Sequence, residues 1–357
     1  MKKILFVSPY PPDQAPSQRF RYEQYLSQLN EKGFDTVISS FFSQKGYSLY
    51  QSGNLLSKIY SVTGGYIRRC LLLFQLSRYE MIFLHREATP AGPPIVEYVM
   101  AKVTGKKMIY DFDDSIWLTD NKGEPFLAAL LRCRWKVRFI CRWSYKVSCG
   151  NAYLANYARR FNTRVFVNPT TIDTRDLHKP KATHNHPHGK VVVGWTGSQS
   201  TVKYLRSIIP VLQILEVKYP QNEYLIIADK DPALPLKNAV FRPWRKGSEI
   251  ADLAEMDIGI MPMPDDAWTQ GKCGFKALQY MAMEIPAVVS PVGVNKEIVQ
   301  NGVEGYWCDS FNEWFTHLAE LIVNREARTQ MGKRGRQKVI RHYSVESNAE
   351  NFLSLFQ

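Results

Sequence analysis

A glycine-rich loop at residues 271–276, with the sequence GKCGFK, combines the residue types that bind a phosphate group. Its two glycines let a ligand approach the backbone, and its two lysines supply positive charge. A helix is predicted to begin near Phe275, so that its unpaired N–H groups and the positive end of its dipole point at the loop. The spacing favours a diphosphate. A simple chain turn with two solvated lysines explains the same residues equally well.

Three aspartates follow a strand-like run in the segment YDFDDSIW, at positions 111, 113 and 114. Carboxylates at a strand end can orient a hydroxyl group or stabilise a forming cation. Their DxD spacing also suits a divalent metal, but no matching His or Glu accompanies it, so no metal site is predicted. Helix capping by Asp113 or Asp114 is an open alternative. The candidate catalytic residues are Asp113, Asp111 and Arg86.

Basic side chains follow two other predicted strands. Arg19 and Arg21 lie in PYPPDQAPSQRFR, and His85 opens HREATP. The fork of guanidinium donors suits a phosphate, so these three residues are candidates for binding an acceptor or a phosphate group. A solvated basic helix face explains the arginines equally well, and His85 is as readily a half-buried histidine with its hydrogen bonds satisfied.

The elements that must position these residues alternate between apolar strands and amphipathic helices. This alternation is typical of βαβ units with a parallel sheet, and it occurs in two series. The predicted domains are a Rossmann-like domain at 1–170, a linker at 171–190, a second Rossmann-like domain at 191–340, and a helical segment at 341–357 that returns to the first domain. Ligands of such sheets bind at the carboxyl ends of the strands.

Composition narrows the class of protein. The chain has 357 residues, a formal net charge of +13 and six cysteines without a CxxC pair. The charge favours anionic partners, and the cysteine pattern indicates neither a zinc framework nor a disulfide scaffold, as expected in a reducing cytoplasm. The histidine group HNHPH in the linker is interpreted as a solvated spacer. No window approaches the roughly 18 apolar residues of a membrane-spanning helix.

A basic, aromatic segment suggests contact with a membrane surface. No acidic residue occurs from Pro125 to Ile172. If residues 130–146 form one helix, a basic and aromatic face lies opposite a core face, as in helices that lie in an anionic membrane surface. That face comprises Arg132, Trp135, Lys136, Phe139, Arg142 and Trp143. The predicted core face comprises Cys133, Val137, Ile140 and Cys141. A core-packing aromatic stripe with a solvated basic rim is an equal alternative.

Several motifs resemble those of the retaining glycosyltransferases of family 4. The long segment GKCGFKALQYMAMEIPAVVSPVGVNKEIVQNGVEGYW resembles their nucleotide-sugar signature, and GWTGSQSTVKYL, DIGIMPM and NPTTID match further segments in order. The resemblance covers nearly the whole chain and is most specific in its C-terminal half. It implies an α/β GT-B fold, in which two Rossmann-like domains face each other across a cleft.

Two departures from the family signature stand out. The two Glu of the signature correspond to Gly271 and Gln279 here, and the usual Arg and Lys pair is missing around Thr201. The resemblance implies that Gln279 meets the ribose of the donor, since its amide oxygen accepts hydrogen bonds. The residue chemistry and the resemblance together predict as donor-binding residues Gly197, Ser198, Lys272, Gly274, Phe275, Lys276 and Gln279.

The implied activity is the transfer of a hexose-like sugar from a nucleotide-diphosphate sugar to a glycan or lipid-linked acceptor, with retention. The expected setting is cell-envelope polysaccharide synthesis, on the inner face of the cytoplasmic membrane, with no metal or other cofactor. A nucleotide-sugar-binding protein with weak or no activity is the first alternative. A nucleic-acid-binding protein is the second, although no nucleic-acid motif accompanies the basic segment.

Overall fold

The computed structural model describes residues 2–120, 123–180 and 189–357; the histidine group of the predicted linker lies outside these ranges. The chain divides into two compact units. Unit 1 comprises Met1–Thr170, Gly271–Cys273 and Asn348–Gln357, and unit 2 comprises Thr171–Gln270 and Gly274–Ser347. The loop GKCGFK is therefore shared, since its first three residues cluster with unit 1.

Unit 1 is built on a six-stranded parallel sheet of order β2-β1-β3-β4-β5-β6. Its strands are β1 Lys2–Ser8, β2 Phe34–Ser40, β3 Met81–His85, β4 Lys107–Phe112, β5 Lys146–Cys149 and β6 Val165–Val167. The central strands β3, β4 and β5 are almost entirely buried, as expected for a parallel sheet covered on both faces.

The helices of unit 1 cover both faces of this sheet. They are α1 Pro16–Arg19, α2 Leu26–Glu31, α3 Gln44–Ser52, α4 Leu55–Leu73, α5 Ile95–Tyr98, α6 Phe126–Arg132, α7 Lys136–Trp143 and α8 Ala152–Arg159. The last residues of the chain pack against this sheet through aromatic rings. Phe352 stacks on Tyr25 at 4.4 Å, and Phe356 stacks on Phe83 at 5.9 Å.

Unit 2 repeats the architecture with a parallel sheet of order β12-β11-β10-β7-β8-β9. Its strands are β7 Val192–Thr196, β8 Glu223–Ala228, β9 Ala239–Pro243, β10 Ile258–Met261, β11 Ala287–Val289 and β12 Gly305–Trp307. Its helices are α9 Val202–Arg206, α10 Ile209–Lys218, α11 Glu249–Leu253, α12 Phe275–Ala282, α13 Asn295–Ile298, α14 Phe311–Val323 and α15 Arg325–His342; a last helix, α16 Val345–Leu353, runs from unit 2 into the terminal segment of unit 1.

Helix α12 lies close against β10 because a glycine faces it. A Cβ atom at Gly259 would overlap the ring of Tyr280, so only glycine allows this approach. The Tyr280 hydroxyl donates to the carbonyl of Ile260 at 3.2 Å and accepts from the N–H of Thr196 at 3.1 Å. These contacts hold the second half of α12 against β10 and beside the end of β7.

The single helix predicted over residues 130–146 is wrong. The structure has α6 and α7 there, separated at Cys133, whose φ of 47° lies in the left-handed region. A left-handed residue ends a helix because its carbonyl group leaves the helical direction. The predicted core residues Val137, Ile140 and Cys141 are buried, whereas Cys133 is partly exposed.

Candidate functional site

In unit 2, the loop after β7 collects hydroxyl groups at the carboxyl edge of the sheet. Gly197 must be glycine, since a Cβ would overlap the ring of Trp195. The hydroxyl groups of Ser198 and Ser200 lie 2.8 Å apart, and the Thr201 hydroxyl donates to the Ser198 carbonyl at 2.9 Å. This short turn presents an exposed polar edge where ligands of parallel sheets bind.

Lys276 brings a positive charge to the same loop. Its ammonium group donates to the Thr201 hydroxyl at 3.4 Å and lies 4.6 Å from the centre of the Trp195 ring. The helix begins at Phe275, as predicted, after Gly274 with a φ of 66°. The structure thus brings Gly197, the Thr201 hydroxyl, Lys276 and the N-terminus of α12 together, an arrangement that suits an anion.

Gln279 lies one turn further along α12 but is buried, with 2% of its surface exposed. Its amide nitrogen donates to a carboxylate oxygen of Glu249, a buried residue of α11, at 3.0 Å. The Gln279 side chain is therefore buried and hydrogen-bonded within unit 2. The prediction that this amide accepts a ribose hydroxyl remains a hypothesis, and any such contact must coexist with the Glu249 bond.

In unit 1, Asp111 is the centre of a buried charge network. Its carboxylate accepts from Arg21, from the Ser148 hydroxyl at 2.6 Å and from His85 Nδ1 at 2.8 Å. Burial alone would raise the pKa of Asp111, but the charge of Arg21 and the His85 contact outweigh it and hold that pKa well below its usual range. The network fixes the carboxyl ends of β3, β4 and β5.

Three of the predicted site residues, Arg21, His85 and Asp111, are buried. Arg21 and His85 were predicted to bind an acceptor or a phosphate, and Asp111 to be catalytic, yet each is at most 1% exposed. Arg21 and His85 Nδ1 both contact the Asp111 carboxylate, whereas the buried His85 Nε2 has no hydrogen-bond partner among the described residues. Arg19 is also buried, and its guanidinium lies 4.9 Å from the Phe20 ring centre. The site roles predicted for these three residues stay predictions.

A second, less buried network extends from the first. Arg86, in the left-handed region at φ 59°, donates to Asp113 and to Asp114, each at 2.8 Å. Lys272 also donates to Asp114 at 2.8 Å. Burial alone would raise the pKa of Asp113, but the charge of Arg86 lowers it. Asp113 and Asp114 retain 12% and 17% of their side-chain surface, so this network reaches solvent.

The loop that carries Lys272 is held tightly within unit 1. A Cβ atom at Gly271 would overlap the Ser115 hydroxyl, so a larger residue at this position would require Ser115 to move. The Cys273 thiol donates to the Asp113 carbonyl at 3.1 Å, and the Asn151 amide donates to the Lys272 carbonyl at 3.0 Å. Lys272 forms an ion pair with Asp114 in this structure, and its predicted role as a second phosphate cation beside Lys276 stays a prediction.

The predicted membrane face changes with the break at Cys133. Lys136 is wrong as a surface residue: it is buried, donates to the Thr89 carbonyl at 2.7 Å and pairs with Glu87 at 2.8 Å. Arg132 and Arg142 are exposed, and Trp135 is 46% exposed. The partly exposed rings of Phe139 and Trp143 lie 5.7 Å apart.

Sequence inspection missed three functional neighbours: Ser148, Glu249 and Arg69. Ser148 and Glu249 complete the networks of Asp111 and Gln279. Arg69 is fully buried and donates to the carbonyls of Ser8 and Ala88, each at 2.7 Å, so it ties the ends of β1 and β3 together. Of these three contacts, one left a signal in the sequence: Ser148 lies in the strand directly beside that of Asp111.

Within the described part of the chain, no group of three or more His, Cys, Asp or Glu side chains is arranged to hold a metal ion. In the same ranges, no helix is long and apolar enough to cross a membrane.

Comparison with known proteins agrees with the architecture. Residues 179–338, a little under half of the chain, match the family Glycosyl transferases group 1. Sucrose-phosphate synthase from Thermosynechococcus elongatus is similar in structure, with a TM-score of 0.71, 13% identity and coverage of 100% of this chain and 98% of that one. No curated protein sequence matches significantly.

Two further solved structures extend the comparison. The HepE protein of Anabaena, solved in complex with UDP-glucose, has a TM-score of 0.70 at 13% identity and covers 100% of this chain and 99% of its own. A point mutant of S. aureus TarM, solved with fondaparinux, alpha-GlcNAc-glycerol and UDP, has a TM-score of 0.59 at 13% identity. That match covers 81% of this chain and 59% of TarM.

This chain has the GT-B fold. The two six-stranded parallel sheets confirm the predicted fold class. The match to the Glycosyl transferases group 1 family supports the resemblance at that level. The narrower assignment to retaining family 4 stays a prediction.

Proposed function

We propose that this protein is a glycosyltransferase that moves a sugar from a nucleotide-diphosphate sugar to a glycan or lipid-linked acceptor, with retention. The observation that carries the proposal is the position of Lys276, at the N-terminus of α12 and beside the loop after β7. The family match over residues 179–338 includes this whole arrangement. The UDP-glucose bound by HepE and the UDP and glycerol-linked GlcNAc bound by TarM support the donor and acceptor classes.

Electrostatic stabilisation of the leaving diphosphate is the proposed source of catalysis. Negative charge grows on the diphosphate as the bond to the sugar breaks. Lys276 and the N–H groups of Gly274 and Phe275 would face that charge, and the long hydrogen bond from Lys276 to Thr201 is readily exchanged for a phosphate contact. Gly197 and Ser198 would border the same phosphates. No metal ion is needed in this scheme, so a chelator should leave transfer unchanged.

Asp113 is the proposed acceptor contact. Asp111 already accepts from three side chains, whereas Asp113 is less buried and is paired with Arg86. Arg86 would hold Asp113 as a carboxylate that can accept a hydrogen bond from an acceptor hydroxyl. We assign no protein nucleophile to the retaining reaction.

The decisive test screens nucleotide sugars for thermal stabilisation of the protein and then measures transfer with those that bind. For a donor that binds, Lys276→Ala should weaken affinity about tenfold to a hundredfold, because a charge-assisted hydrogen bond contributes about 1.5 to 3 kcal/mol. Lys333→Ala, at an exposed position of α15, is the matched control. Unchanged affinity for Lys276→Ala, measured by calorimetry on folded protein, would refute the assignment.

A nucleotide-sugar-binding protein without transfer is the second candidate. The observation that favours it is the glycine at position 271, where the family signature has Glu and a larger residue would require Ser115 to move. Donor binding that depends on Lys276, together with no turnover across glycan and lipid-linked acceptors, would select this candidate.

A further inference from the structure

Helix α4, residues Leu55–Leu73, presents most of its large apolar side chains outward. Its buried positions are Ser61, Gly65, Arg69 and Leu72. By contrast, Leu55, Leu56 and Tyr60 are each more than 70% exposed, and Phe74, directly after the helix, is 86% exposed. An ordinary surface helix shows the opposite arrangement, with its apolar stripe against the core.

Packing fixes this orientation of α4. The guanidinium group of Arg69 donates to the Ser8 carbonyl at 2.7 Å, the Ser39 carbonyl at 3.1 Å and the Ala88 carbonyl at 2.7 Å. A Cβ atom at Gly65 would overlap the ring of Phe41, so no larger residue fits on the inner side. Rotating the helix to bury its leucines would break the Arg69 bonds and remove a buried guanidinium group from its partners, which opposes that rotation.

Helix α6, residues Phe126–Arg132, adds a second apolar surface. Each residue of this helix is partly or fully exposed, and Phe126 is 83% exposed. The two helices lie on one side of unit 1, because the Tyr66 hydroxyl donates to the Ala91 carbonyl at 2.7 Å and the Gly92 N–H donates to the Leu131 carbonyl at 2.6 Å. We name the exposed apolar residues of these helices, with Phe74, the α4/α6 face.

An apolar groove continues from this face. It is lined by Pro93, Ile95, Tyr98, Trp135, Phe139 and Trp143, without a charged side chain among its lining residues. Ile95 is 63% exposed and Tyr98 is 47% exposed. Four of the six predicted membrane residues therefore border the α4/α6 face or its groove, namely Arg132, Trp135, Phe139 and Trp143.

The charge around this face is positive. No acidic residue occurs at 36–79 or at 125–172. The exposed cations of these two stretches include Lys45, Lys58, Arg78, Arg132, Arg138 and Arg142. Nearby carboxylates are engaged within unit 1: Glu124 pairs with Arg132 and Arg134, Glu87 pairs with Lys136, and Glu97 is buried and accepts from the Ala88 N–H.

We infer that the α4/α6 face docks unit 1 on an anionic membrane surface. Exposed leucine, isoleucine and aromatic side chains would enter the boundary between headgroups and acyl chains, while the surrounding cations meet anionic headgroups. Two copies of this chain would bring like-charged faces together, which opposes a dimer through it. A nucleic acid offers no apolar medium to the aliphatic side chains of α4.

Vesicle binding tests the inference without a sugar donor or acceptor, so its result does not depend on the proposed transferase activity. Flotation with phosphatidylcholine vesicles that contain phosphatidylglycerol should recover the protein, and recovery should fall as salt rises. Pure phosphatidylcholine vesicles should recover much less. Strong, salt-independent binding to pure phosphatidylcholine would overturn the role given to the cations.

Two sets of substitutions test the two contributions. Replacing Leu56, Tyr60 and Phe74 with Ser should weaken vesicle binding about 100-fold or more, because each buried apolar side chain contributes to insertion. Replacing Lys45, Lys58 and Arg78 with Gln should weaken it about 100-fold, with each cation giving roughly fivefold. Both variants should keep the wild-type melting temperature, since the replaced side chains are exposed.

Matched controls lie on the helices of unit 2. Val217, Val323 and Ile214 are exposed apolar residues there, and Lys333, Arg334 and Arg341 are exposed cations. Replacing these with Ser or Gln, respectively, should leave vesicle binding unchanged. The inference is overturned if the α4 variants bind vesicles like wild type. A second outcome also overturns it: the wild type is a dimer, the Ser variant is a monomer, and both bind vesicles equally well. The α4/α6 face would then be a dimer interface.

Discussion

Charged side chains at the carboxyl edges of the two sheets have different kinds of partner. In unit 1, Arg21 and Asp111 neutralise each other in the interior, and Arg86 and Lys272 are engaged by Asp113 and Asp114. In unit 2, Lys276 contacts a hydroxyl group and an aromatic ring. A buried ion pair holds geometry and cannot be broken cheaply, whereas a long hydrogen bond to a hydroxyl group is readily exchanged. The contrast separates charges that are engaged in ion pairs from the lysine that we propose as the donor-binding cation.

The largest expected effect follows from removing the buried charge in unit 1. Asp111→Asn leaves Arg21 without its buried partner and should reduce the free energy of unfolding by about 3 to 5 kcal/mol. Urea denaturation with tryptophan fluorescence measures the change. Asp265→Asn, at an exposed loop position of unit 2, is the control and should be close to wild type. A loss below about 1 kcal/mol would place the Arg21 contact among ordinary surface ion pairs.

The same carboxylate gives the stability a defined pH dependence. The folded protein holds the pKa of Asp111 below its unfolded value of about 3.9. Its contribution is therefore fully present above that pH and is lost as pH falls towards the folded pKa. The difference in unfolding free energy between wild type and Asp111→Asn should be constant from about pH 5 to 7 and should shrink below about pH 4. A difference that stays constant down to about pH 3 would contradict the ionised state of Asp111.

A medium effect is expected at Gln279, where unit 2 does have a buried polar contact. Gln279→Leu removes the donor to the Glu249 carboxylate and should cost about 1 to 3 kcal/mol of stability. Gln279→Glu places two carboxylates in contact, which cannot both stay ionised at low cost. The Glu variant should therefore regain stability as pH falls from about 7 to 5, while the Leu variant should not. Thermal unfolding across that pH range distinguishes them, and parallel behaviour would show that the Glu249 contact is unimportant.

The elements set by local pattern could be predicted, and the partnerships between distant residues could not. The helix start at Phe275 and the two strand-helix series follow from the positions of glycines and from the repeat of apolar residues. Both are local features of the sequence. The burial of Arg21 depends on Asp111, 90 positions away, and the state of Gln279 depends on Glu249, 30 positions away. The break at Cys133 was missed because a left-handed non-glycine residue leaves no pattern in the sequence.

The outward leucines of α4 illustrate a different limit. Apolar periodicity alone does not say which side of a helix meets the core. The buried side is chosen by Arg69, whose three backbone carbonyl partners come from separate parts of the chain. The structure shows that Arg69 is buried, whereas Leu55, Leu56 and Leu71 on the same helix are exposed.

The smallest expected effect is at Lys272. It tests whether a lysine engaged in an ion pair contributes less to donor binding than Lys276 does. Both lysines of GKCGFK were predicted to bind the diphosphate, but Lys272 must give up its 2.8 Å ion pair with Asp114 before it can contact a phosphate. Because the new interaction mostly replaces the old one, Lys272→Ala should weaken donor binding less than about threefold, which corresponds to roughly 0.6 kcal/mol. Asp114→Asn should then strengthen binding in the presence of Lys272 and have no effect in the Lys272→Ala background, as a double-mutant cycle by calorimetry would reveal. If Lys272→Ala instead matched Lys276→Ala, both lysines would be ligand cations, and the Asp114 pair would only hold Lys272 until the donor arrives.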